Sequence, residues 1–542
     1  MKMLFAFIII ICLILIINAD FCESTYSDLT SEPNLKNNYE NNNVSTNNES
    51  KRGDVNMDGI IDIRDVVLVA QHILGIKPLP IDRLPFADIN NDGIINVLDL
   101  VLLMNIVLGL AEADVNNSDA DHPEPADPEK PSEPTLGPDP TDSVNIVNVQ
   151  DFGTVADGKT CDQKAIQAAI NHAHDNRLAT VKIPAGKYLI KSAIKIPSGI
   201  ALEGDQDLGS VLIQYGTDHL IIRNADLAAG NENITLKNLV IDGNGIIYKG
   251  FFSEGGIHFR NSEGIILKSV TIRNYYGQPQ NGSSTAHAKH TVARFQHCKN
   301  VHIENSNFID AGYYGLDFVE GGKDITIINS VFDGMHNTAV MFRGAADNES
   351  FVFCENILFE GNTVKNIGGS NLTPDGAFDI YQSGKDVKVI NNYFYNCGET
   401  INGKHYGSAI RLTSAIGALV EDNTVIYDGI SAFDAIRTSG REGFFGSEDI
   451  VISNNKVTMK NGAELRHRGI SVIDQGPLSS NITINNNEIF IDETSYIRIA
   501  YYIGGINITL KDNTLIGCER VDTFMNISRA RDSEEKGNQC IK

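Results

Sequence analysis

Short runs of alternating apolar and polar residues recur from Val144 to the end of the chain. Each run follows a small polar residue, asparagine or serine, and these markers are 24 to 37 residues apart. Such a period indicates a repeat architecture whose units bury their apolar faces by stacking. Each period holds two or three strands and no helix, so we predict an all-β domain, a β-helix of about ten or more coils over residues 144–542. The markers, which we expect to stack as a ladder of side chains, are Asn238, Ser269, Ser306, Ser330, Asn362, Asn392, Asn423, Asn455, Asn487 and Asn513.

A second alternating strand follows the loop after each marker strand. Side chains along a strand point alternately to opposite faces, so if the Ile, Phe and Leu positions point inward, the outward positions form two columns. The first column reads His258, Arg294, Asp317, Met341, Asp379, Arg411, Arg437 and Ser471. The neighbouring column reads Arg260, Gln296, Val319, Arg343, Tyr381, Thr413, Ser439 and Ile473.

The start of this region carries its own signature. Residues 151–158 read Asp-Phe-Gly-Thr-Val-Ala-Asp-Gly, and residues 162–173 form an amphipathic pattern that predicts a helix capping the open end of the coil. This segment resembles the N-terminus of the pectate-lyase-like superfamily, and the resemblance covers about residues 148–530. The superfamily includes pectate lyases, polygalacturonases, uronan epimerases and phage tailspike depolymerases. The resemblance implies a right-handed parallel β-helix with a long groove that binds an oligosaccharide.

The arginines of the two columns favour an acidic sugar, because a planar guanidinium binds a carboxylate through two hydrogen bonds. We therefore predict an acidic polysaccharide as the partner of this face. The predicted substrate-binding residues, including those on the loops before the strands, are His258, Arg260, Arg294, Glu320, His336, Arg343, Asp375, Tyr381 and Arg437.

Two chemistries remain open for this groove. In the superfamily an arginine or lysine often removes the proton beside a uronate carboxylate while aspartates hold calcium. The resemblance thus implies Arg411 as the base of a lyase, with one further Ca²⁺ in the groove. Inverting hydrolysis needs two carboxyl groups about 6.5–9.5 Å apart, and the backbones of Asp317 and Asp379, two coils apart, should lie roughly 10 Å apart. His405, on the loop before Arg411, is a further catalytic candidate.

Two local motifs match known families only in part. Residues 315–320 are similar to the Asp-Pro-His-Glu motif of mannuronan epimerases, with Asp317 and Glu320 matched and the proline and histidine missing. Asp375-Gly376 with Asp379 resembles the first polygalacturonase motif, whose later motifs have no clear counterpart.

Apolar runs of helical length also occur near the N-terminus, at residues 66–75 and 100–109, each stopped by a glycine. Each run follows an acidic loop whose oxygens at positions 1, 3, 5, 7, 9 and 12 suit calcium. The two loops predict two Ca²⁺ sites. The first has ligands Asp54, Asn56, Asp58, Ile60, Asp62 and Asp65, and the second has Asp88, Asn90, Asp92, Ile94, Asn96 and Asp99.

This duplicated unit resembles a dockerin type I module, and a pair of EF-hands acting as a calcium buffer or sensor is the alternative. The resemblance implies docking to a cohesin on a scaffold or surface protein. Dockerins of the best-known type carry Ser-Thr at loop positions 10 and 11, whereas this chain has Ile63-Arg64 and Val97-Leu98. The type of cohesin is therefore open.

Charge and composition narrow the partners and the location. A net charge of −25 without a basic cluster argues against nucleic acid, which needs a positive face. One basic residue, an apolar run and a small residue predict a signal peptide at 1–19, an uncleaved anchor being the alternative. We expect no membrane span after cleavage and a secreted or cohesin-attached monomer. The predicted domains are 1–19, a disordered Asn/Ser-rich segment 20–50, the dockerin 51–112, a Pro/acidic linker 113–143 and the β-helix 144–542. Cys518 with Cys540 is the one disulfide we predict.

These features together predict a secreted polysaccharide lyase or glycoside hydrolase that acts on a pectin-type or other uronan chain. The alternative is a non-catalytic β-helix that binds polysaccharide or serves adhesion at a cell surface.

Overall fold

The computed structural model describes the chain in stretches. These are residues 52–58, 60–73, 79, 83–89, 95, 97–107, 146–207, 209–216, 220–245, 254–275, 291–347, 350–368, 375–399, 407–473 and 476–542. They belong to two compact units, one within Met1–Pro125 and one within Ala126–Lys542. The predicted signal peptide, Asn/Ser-rich segment and linker lie outside the described residues. Within the described ranges, no helix is long and apolar enough to cross a membrane.

The N-terminal unit is helical. Its helices are α1 (Ile63–Ile73), α2 (Leu84–Ala87) and α3 (Val97–Val107). Helices α1 and α3 follow the two acidic loops, as the apolar runs predict. Their apolar faces meet in a small core that contains Val66, Val69 and Leu103.

The C-terminal unit begins with a short strand, and the predicted helix follows as α4 (Gln163–Asp175). The strands in chain order are β1 (Ile146–Asn148), β2 (Asp157–Cys161), β3 (Thr180–Ile183), β4 (Gly186–Ile190), β5 (Ile194–Ile196), β6 (Ala201–Gly204), β7 (Ser210–Gln214), β8 (Ile222–Asn224), β9 (Glu232–Lys237), β10 (Leu239–Asp242), β11 (Glu254–Arg260), β12 (Glu263–Lys268), β13 (Thr271–Tyr275), β14 (Thr291–Gln296), β15 (Lys299–Glu304), β16 (Asn307–Ala311), β17 (Tyr314–Val319), β18 (Lys323–Ile328), β19 (Val331–Asp333), β20 (Thr338–Arg343), β21 (Ala345–Asp347), β22 (Ser350–Val352), β23 (Cys354–Glu360), β24 (Thr363–Gly368), β25 (Gly376–Gln382), β26 (Gly384–Ile390), β27 (Tyr393–Glu399), β28 (Ser408–Thr413), β29 (Ala415–Glu421), β30 (Thr424–Asp428), β31 (Ser431–Ser439), β32 (Glu448–Ser453), β33 (Lys456–Lys460), β34 (Glu464–Ile473), β35 (Ser480–Asn485), β36 (Glu488–Ile491), β37 (Tyr496–Lys511), β38 (Thr514–Ile516), β39 (Val521–Arg531), β40 (Glu534–Lys536) and β41 (Gln539–Ile541).

These strands form three parallel stacks that run the length of the coil, which confirms the predicted right-handed parallel β-helix. The first stack is a separate sheet that passes from β2 and β4 through β16 to β41. The second contains β11, β14, β17, β20, β25, β28, β31 and β34, and the third contains β12, β15, β18, β23, β26 and β29. The short antiparallel hairpin β21–β22 projects from the turn between β20 and β23.

Aromatic side chains fill the interior behind the second stack. Phe295 and Phe318 stack with ring centroids 4.8 Å apart, and Phe318 and Phe342 stack at 4.9 Å. All three rings are buried, so these positions point inward and their strand neighbours point outward.

The predicted ladder of polar side chains is present, but it starts later than expected. From Ser306 onward, each backbone N–H donates to the side chain of the next coil, and Asn423 bonds in this way to Asn455 at 3.0 Å. The placement of Asn238 and Ser269 was wrong: Val270 takes the ladder position and donates to Ser306. Both misplaced residues have left-handed backbone conformations, where asparagine is also common. At its other end the ladder continues past Asn513 to Asn538.

A helix packs against the N-terminal end of the coil, and a disulfide lies at its C-terminal end. Helix α4 buries Ile166, Ala169, Ile170 and Ala173 against the first strands, as predicted for an end cap. At the C-terminus Cys518 and Cys540 form a disulfide, which confirms the predicted pair.

Candidate functional site

The first predicted outward column is correct in register. Backbone pairing places His258 beside Arg294, Arg294 beside Asp317 and Asp317 beside Met341. It then continues through Asp379, Arg411, Arg437 and Ser471. Eight coils therefore present one row of side chains along the outer face of the second stack, and we call this face the groove.

The second column is in register from Arg260 to Arg343 and from Thr413 to Ile473, and the pairing between Arg343 and Tyr381 is irregular. An irregularity in the pairing of β20 with β25 sets Arg343 beside Gln382. An extra residue in one strand shifts later side chains along it. The Tyr381 ring lies near Arg411, whose guanidinium carbon is 5.4 Å from the ring centroid.

Asp317 is held between two arginines from neighbouring coils. Its carboxylate accepts hydrogen bonds from Arg294 Nε at 3.2 Å and from Arg343 Nε at 3.0 Å. Arg343 Nη2 also donates to it, which completes a bidentate pair. The Asp317 side chain is 0% exposed, whereas Arg294 and Arg343 remain 19% and 28% exposed.

Asp379 forms a second cluster with Arg411 and Asp375. Arg411 Nε donates to Asp379 at 2.9 Å, and its Nη2 lies 2.6 Å from Asp379 and 2.8 Å from Asp375. The backbone N–H of Gly376 also donates to Asp379 at 2.9 Å. Asp379 is fully buried, while Asp375 is 14% exposed.

Burial raises the pKa of Asp379 to about 6, with Arg411 opposing this shift and Asp375 adding to it. For Arg411, burial alone would lower the pKa, but the two carboxylates outweigh burial and raise it. A guanidinium held this firmly in its charged form is a poor proton acceptor, so the geometry disfavours Arg411 as a base.

A third cluster, which the sequence did not reveal, surrounds Asp434. Asp434 lies in β31, three residues before the column residue Arg437, and it pairs in register with Arg468 of the next coil. Its carboxylate is 0% exposed and accepts no hydrogen bond, and it lies 3.9 Å from Arg437 and 3.7 Å from Arg468. Burial raises the pKa of Asp434 and lowers that of Arg437. The only sequence signal for it was a charged residue just before the predicted strand, as at Asp375.

Two pockets open on the groove. One has a volume of about 260 Å³ and is lined by Arg294, Arg343, Glu320 and their neighbours. The other has a volume of about 300 Å³ and contains Tyr381 and Arg437 in its lining, together with Arg411 and Arg441. Arg441 lies in the turn after β31 and was not among the predicted residues.

The remaining predicted residues do not belong to the three aspartate clusters. His258 is buried at the N-terminal end of the column, and Arg260 is exposed. Glu320 accepts a hydrogen bond from Gln296 at 2.8 Å, at the edge of the groove. His336 is exposed, and His405 lies outside the described residues.

The groove offers no ligand set for the further calcium ion that the resemblance implied. Across the part of the chain that the structure describes, in the groove and in the first acidic loop alike, no three His, Cys, Asp or Glu side chains form a group that could hold a metal ion. In the groove the reason is chemical, because Asp317 and Asp379 direct their oxygens at guanidinium groups.

The first acidic loop of the N-terminal unit is folded around its own carboxylates. Asp65 accepts backbone hydrogen bonds from Asn56 and Asp62, each 2.9 Å long. Arg64 lies 2.7 Å from both Asp58 and Asp62. The side-chain oxygens of this loop are of the hard type that calcium prefers, and in this arrangement those of Asp58 and Asp62 are paired with Arg64. Of the second loop's ligands, Asp88 and Asp99 are buried, and Asn90, Asp92, Ile94 and Asn96 lie outside the described residues.

Three family models match the chain. The dockerin type I domain matches residues 52–108, and the family described as rhamnogalacturonase A/epimerase, pectate lyase-like, matches residues 146–402. The right-handed β-helix region matches residues 314–519. The groove described above falls within the last two matches.

Individual proteins are similar over shorter stretches. The pre-neck appendage protein of Bacillus phage B103 is 30% identical over 181 residues, 33% of this chain and 17% of that protein. Alginate lyase 7 of Azotobacter vinelandii is 37% identical over 109 residues, 18% of this chain and 12% of that protein. The chain thus spans less than a fifth of either relative.

Among solved structures, the N-terminal fragment of bacteriophage Phi29 gene product 12 superposes with a TM-score of 0.50 at 16% identity. That match covers 73% of this chain and 70% of the fragment, and it shows a shared fold. The chain therefore joins a dockerin type I module to a right-handed parallel β-helix domain of the pectate-lyase-like superfamily.

Proposed function

We propose that this protein is a secreted enzyme that binds an anionic, uronan-type polysaccharide along the groove and cleaves it by lyase or glycoside hydrolase chemistry. The observation that carries the proposal is the row of arginines that face the groove in register while buried aspartates hold them in place. The chain as a whole carries a net charge of −25, so a concentration of arginines on one face is not a consequence of its overall composition. Binding of the anionic groups along a glycan accounts for this concentration.

The division between buried and exposed groups supports arginine as the contact with the glycan. Asp317 and Asp379 are 0% exposed, whereas their partners Arg343 and Arg411 are 28% and 11% exposed. Each aspartate fixes the Nε and Nη2 side of its guanidinium, which reduces the entropy lost when the arginine binds a carboxylate. The aspartates therefore act as positioning residues for the arginines.

The same burial restricts the chemistry. Neither Asp317 nor Asp379 is accessible to a glycan in this arrangement, which disfavours the two as an inverting pair. Asp375 is the partly exposed carboxylate of the central cluster and shares Arg411 with Asp379. We therefore assign acid–base catalysis to Asp375, with Asp379 and Arg411 setting its charge environment. The similarity to alginate lyase 7 over part of the domain is consistent with a uronan as the substrate.

The test is incubation of the protein with polygalacturonate and with alginate, following reducing ends and the ultraviolet absorbance of unsaturated ends. Reducing ends with absorbance identify a lyase, and reducing ends alone identify a hydrolase. Asp375→Asn should abolish either signal. Asp242→Asn is the matched control, because its carboxylate pairs with Arg273 on the separate sheet of the first stack. Equal activity of Asp375→Asn and wild type would refute the assignment of catalysis.

We further propose that the dockerin binds two Ca²⁺ ions and docks the enzyme onto a cohesin of a scaffold or surface protein. Its first loop supplies hard-oxygen ligands. Ile63 and the side chain of Arg64, at loop positions 10 and 11, are 45% and 58% exposed and so are accessible to a cohesin. Capture on a panel of immobilised cohesins, with and without chelator, tests this. Binding that persists in chelator, or capture by no member of the panel, would contradict it.

A second candidate function is non-catalytic binding of polysaccharide. The full burial of Asp317 and Asp379 favours it, because a groove can hold a glycan through arginines alone. Tight binding of polygalacturonate without any product after prolonged incubation would establish this function in place of cleavage.

A further inference from the structure

The pocket that Arg441 helps to line has the composition of a site for one charged sugar. Arg411, Arg437, Arg441 and the ring of Tyr381 surround a volume of about 300 Å³. This is the small end of the range for ligand pockets, so it suits a single ring rather than a length of chain. We infer that this pocket, hereafter the Arg441 pocket, is a subsite that recognises the carboxylate of one acidic sugar unit. The inference rests on the proposed function of the groove. It adds the place in the groove where the carboxylate of the glycan is recognised.

Among the described residues, Arg441 is the arginine of this pocket that forms no ion pair, and it is the charge on which the subsite depends. Three arginines line the pocket, and one of them, Arg411, is already paired with the buried Asp379 and with Asp375. Among the described residues the lining also includes one carboxylate, that of the exposed Glu442. Asp434 lies behind Arg437 at 3.9 Å, and its two buried oxygens accept no hydrogen bond. This contact is longer than the 3.0 Å hydrogen bond that joins Arg343 to Asp317.

Arg441 is held by aromatic rings rather than by a carboxylate. Its guanidinium carbon lies 4.1 Å from the centroid of the Tyr381 ring and 5.9 Å from that of Phe444. Within the part of the chain that the structure describes, Arg441 makes no ion pair. Stacking on a ring orients a guanidinium and leaves its N–H groups, which lie in the plane, available to an anion.

The turn that carries Arg441 is braced from three coils away. The hairpin β21–β22 leaves the coil of β20, whereas the turn leaves the coil of β31, with β25 and β28 between them. Phe351 of the hairpin meets Phe444 and Phe445 of the turn at centroid distances of 5.7 and 5.0 Å. On its other side this turn packs closely against the turn of the next coil. A Cβ atom at Gly446 would lie 1.9 Å from the carbonyl oxygen of Leu478. Phe351 is thus a positioning residue for Arg441.

The other groove pocket is a weaker candidate for the same role. Its two arginines, Arg294 and Arg343, both donate to the buried Asp317, and Glu320 also lines it. Both of its arginines are therefore paired with a carboxylate, whereas Arg441 of the other pocket forms no ion pair with a described residue. This contrast is why we assign carboxylate recognition to the Arg441 pocket.

The experiment is titration calorimetry of the full-length protein with polygalacturonate, its methyl ester and a sulfated galactan. We expect Arg441→Ala to weaken polygalacturonate binding about tenfold or more, the effect of losing a charge-assisted hydrogen bond. Arg441→Lys should recover only part of this. Phe351→Ala should weaken binding less, and the double variant should bind no worse than Arg441→Ala, because Phe351 acts through Arg441. Arg273→Ala, on the opposite sheet, is the matched control and should bind as wild type does.

The outcomes separate the two proposals. If wild type binds polygalacturonate and Arg441→Ala binds it equally well, the subsite is overturned and the proposed function stands. If wild type binds no anionic glycan, both are overturned. A wild type that binds only the sulfated galactan, or the methyl ester as well as the free acid, also overturns the assignment to a carboxylate. Thermal unfolding of each variant shows that the losses are not losses of fold.

Discussion

Truncating one asparagine in the middle of the ladder should destabilise the β-helix far more than truncating a partly exposed asparagine outside the ladder. Asn423 is 1% exposed. Its side-chain oxygen accepts from the backbone N–H and the side-chain amide of Asn392, each at 3.0 Å. Its own amide donates to Val389, Glu421 and Asn455 at 2.8 to 3.0 Å.

Asn423→Ala removes all five bonds at once, and the magnitude follows from what is left behind. A buried backbone N–H without a partner costs about 1–3 kcal/mol, and each lost side-chain bond contributes a net of about 0.5–1.5 kcal/mol. Because bonds in one network are not additive, we expect a loss of about 3–5 kcal/mol in the free energy of unfolding. Asn423→Ser should lose less, since serine holds the same place in the coils of Ser306 and Ser330.

Equilibrium urea unfolding followed by circular dichroism measures this loss. Asn307→Ala is the control: Asn307 is partly exposed and makes one side-chain bond of 3.3 Å to Thr271. Its loss should stay within about 0.5 kcal/mol. If Asn423→Ala and Asn307→Ala destabilise equally, the ladder does not stabilise the coil and our reasoning fails.

Four further outcomes are expected. Asp317→Asn should cost on the order of 2–4 kcal/mol, because it leaves two guanidiniums without their buried counter-charge, and an equal loss in Asp242→Asn would contradict this. The pKa of Asp379 is raised from 3.8 to about 6 by burial, so its contribution to stability is fully present below pH 4 and is lost as pH rises through about 6. The stability of wild type relative to Asp379→Asn should therefore fall over that interval in urea titrations, and a difference constant with pH would refute it. Chelation of calcium should remove the helical signal of the dockerin and leave the β-helix folded. Asp88→Ala should weaken cohesin capture without loss of activity on soluble polysaccharide, and parallel loss of both would show that the two modules are coupled.

The alternation of apolar and polar residues determined much of the β-helix. It predicted the stacked coils, the end-capping helix and the register of the row from His258 to Ser471, because the alternation of faces along a strand is a local property. The two acidic loops likewise predicted the helices that follow them. The type of residue in the row indicated an acidic glycan before any contact was known.

Only the tertiary structure decided which charges meet. Asp317 pairs with arginines 23 and 26 positions away, and Asp379 with one 32 positions away. These separations depend on loop lengths that vary from coil to coil. The ladder begins at Ser306 because the apolar Val270 holds the corresponding position in the preceding coil. The residue just before that position has a left-handed backbone, as Asn238 and Ser269 do, and the sequence pattern does not separate the two positions. The strand pairing between Arg343 and Tyr381 is irregular, which the alternation does not encode, and the Tyr381 ring lies against Arg441. The buried Asp434 and the contact of Phe351 with Phe444 likewise arise from stacking, which brings together residues that have no relation along the sequence.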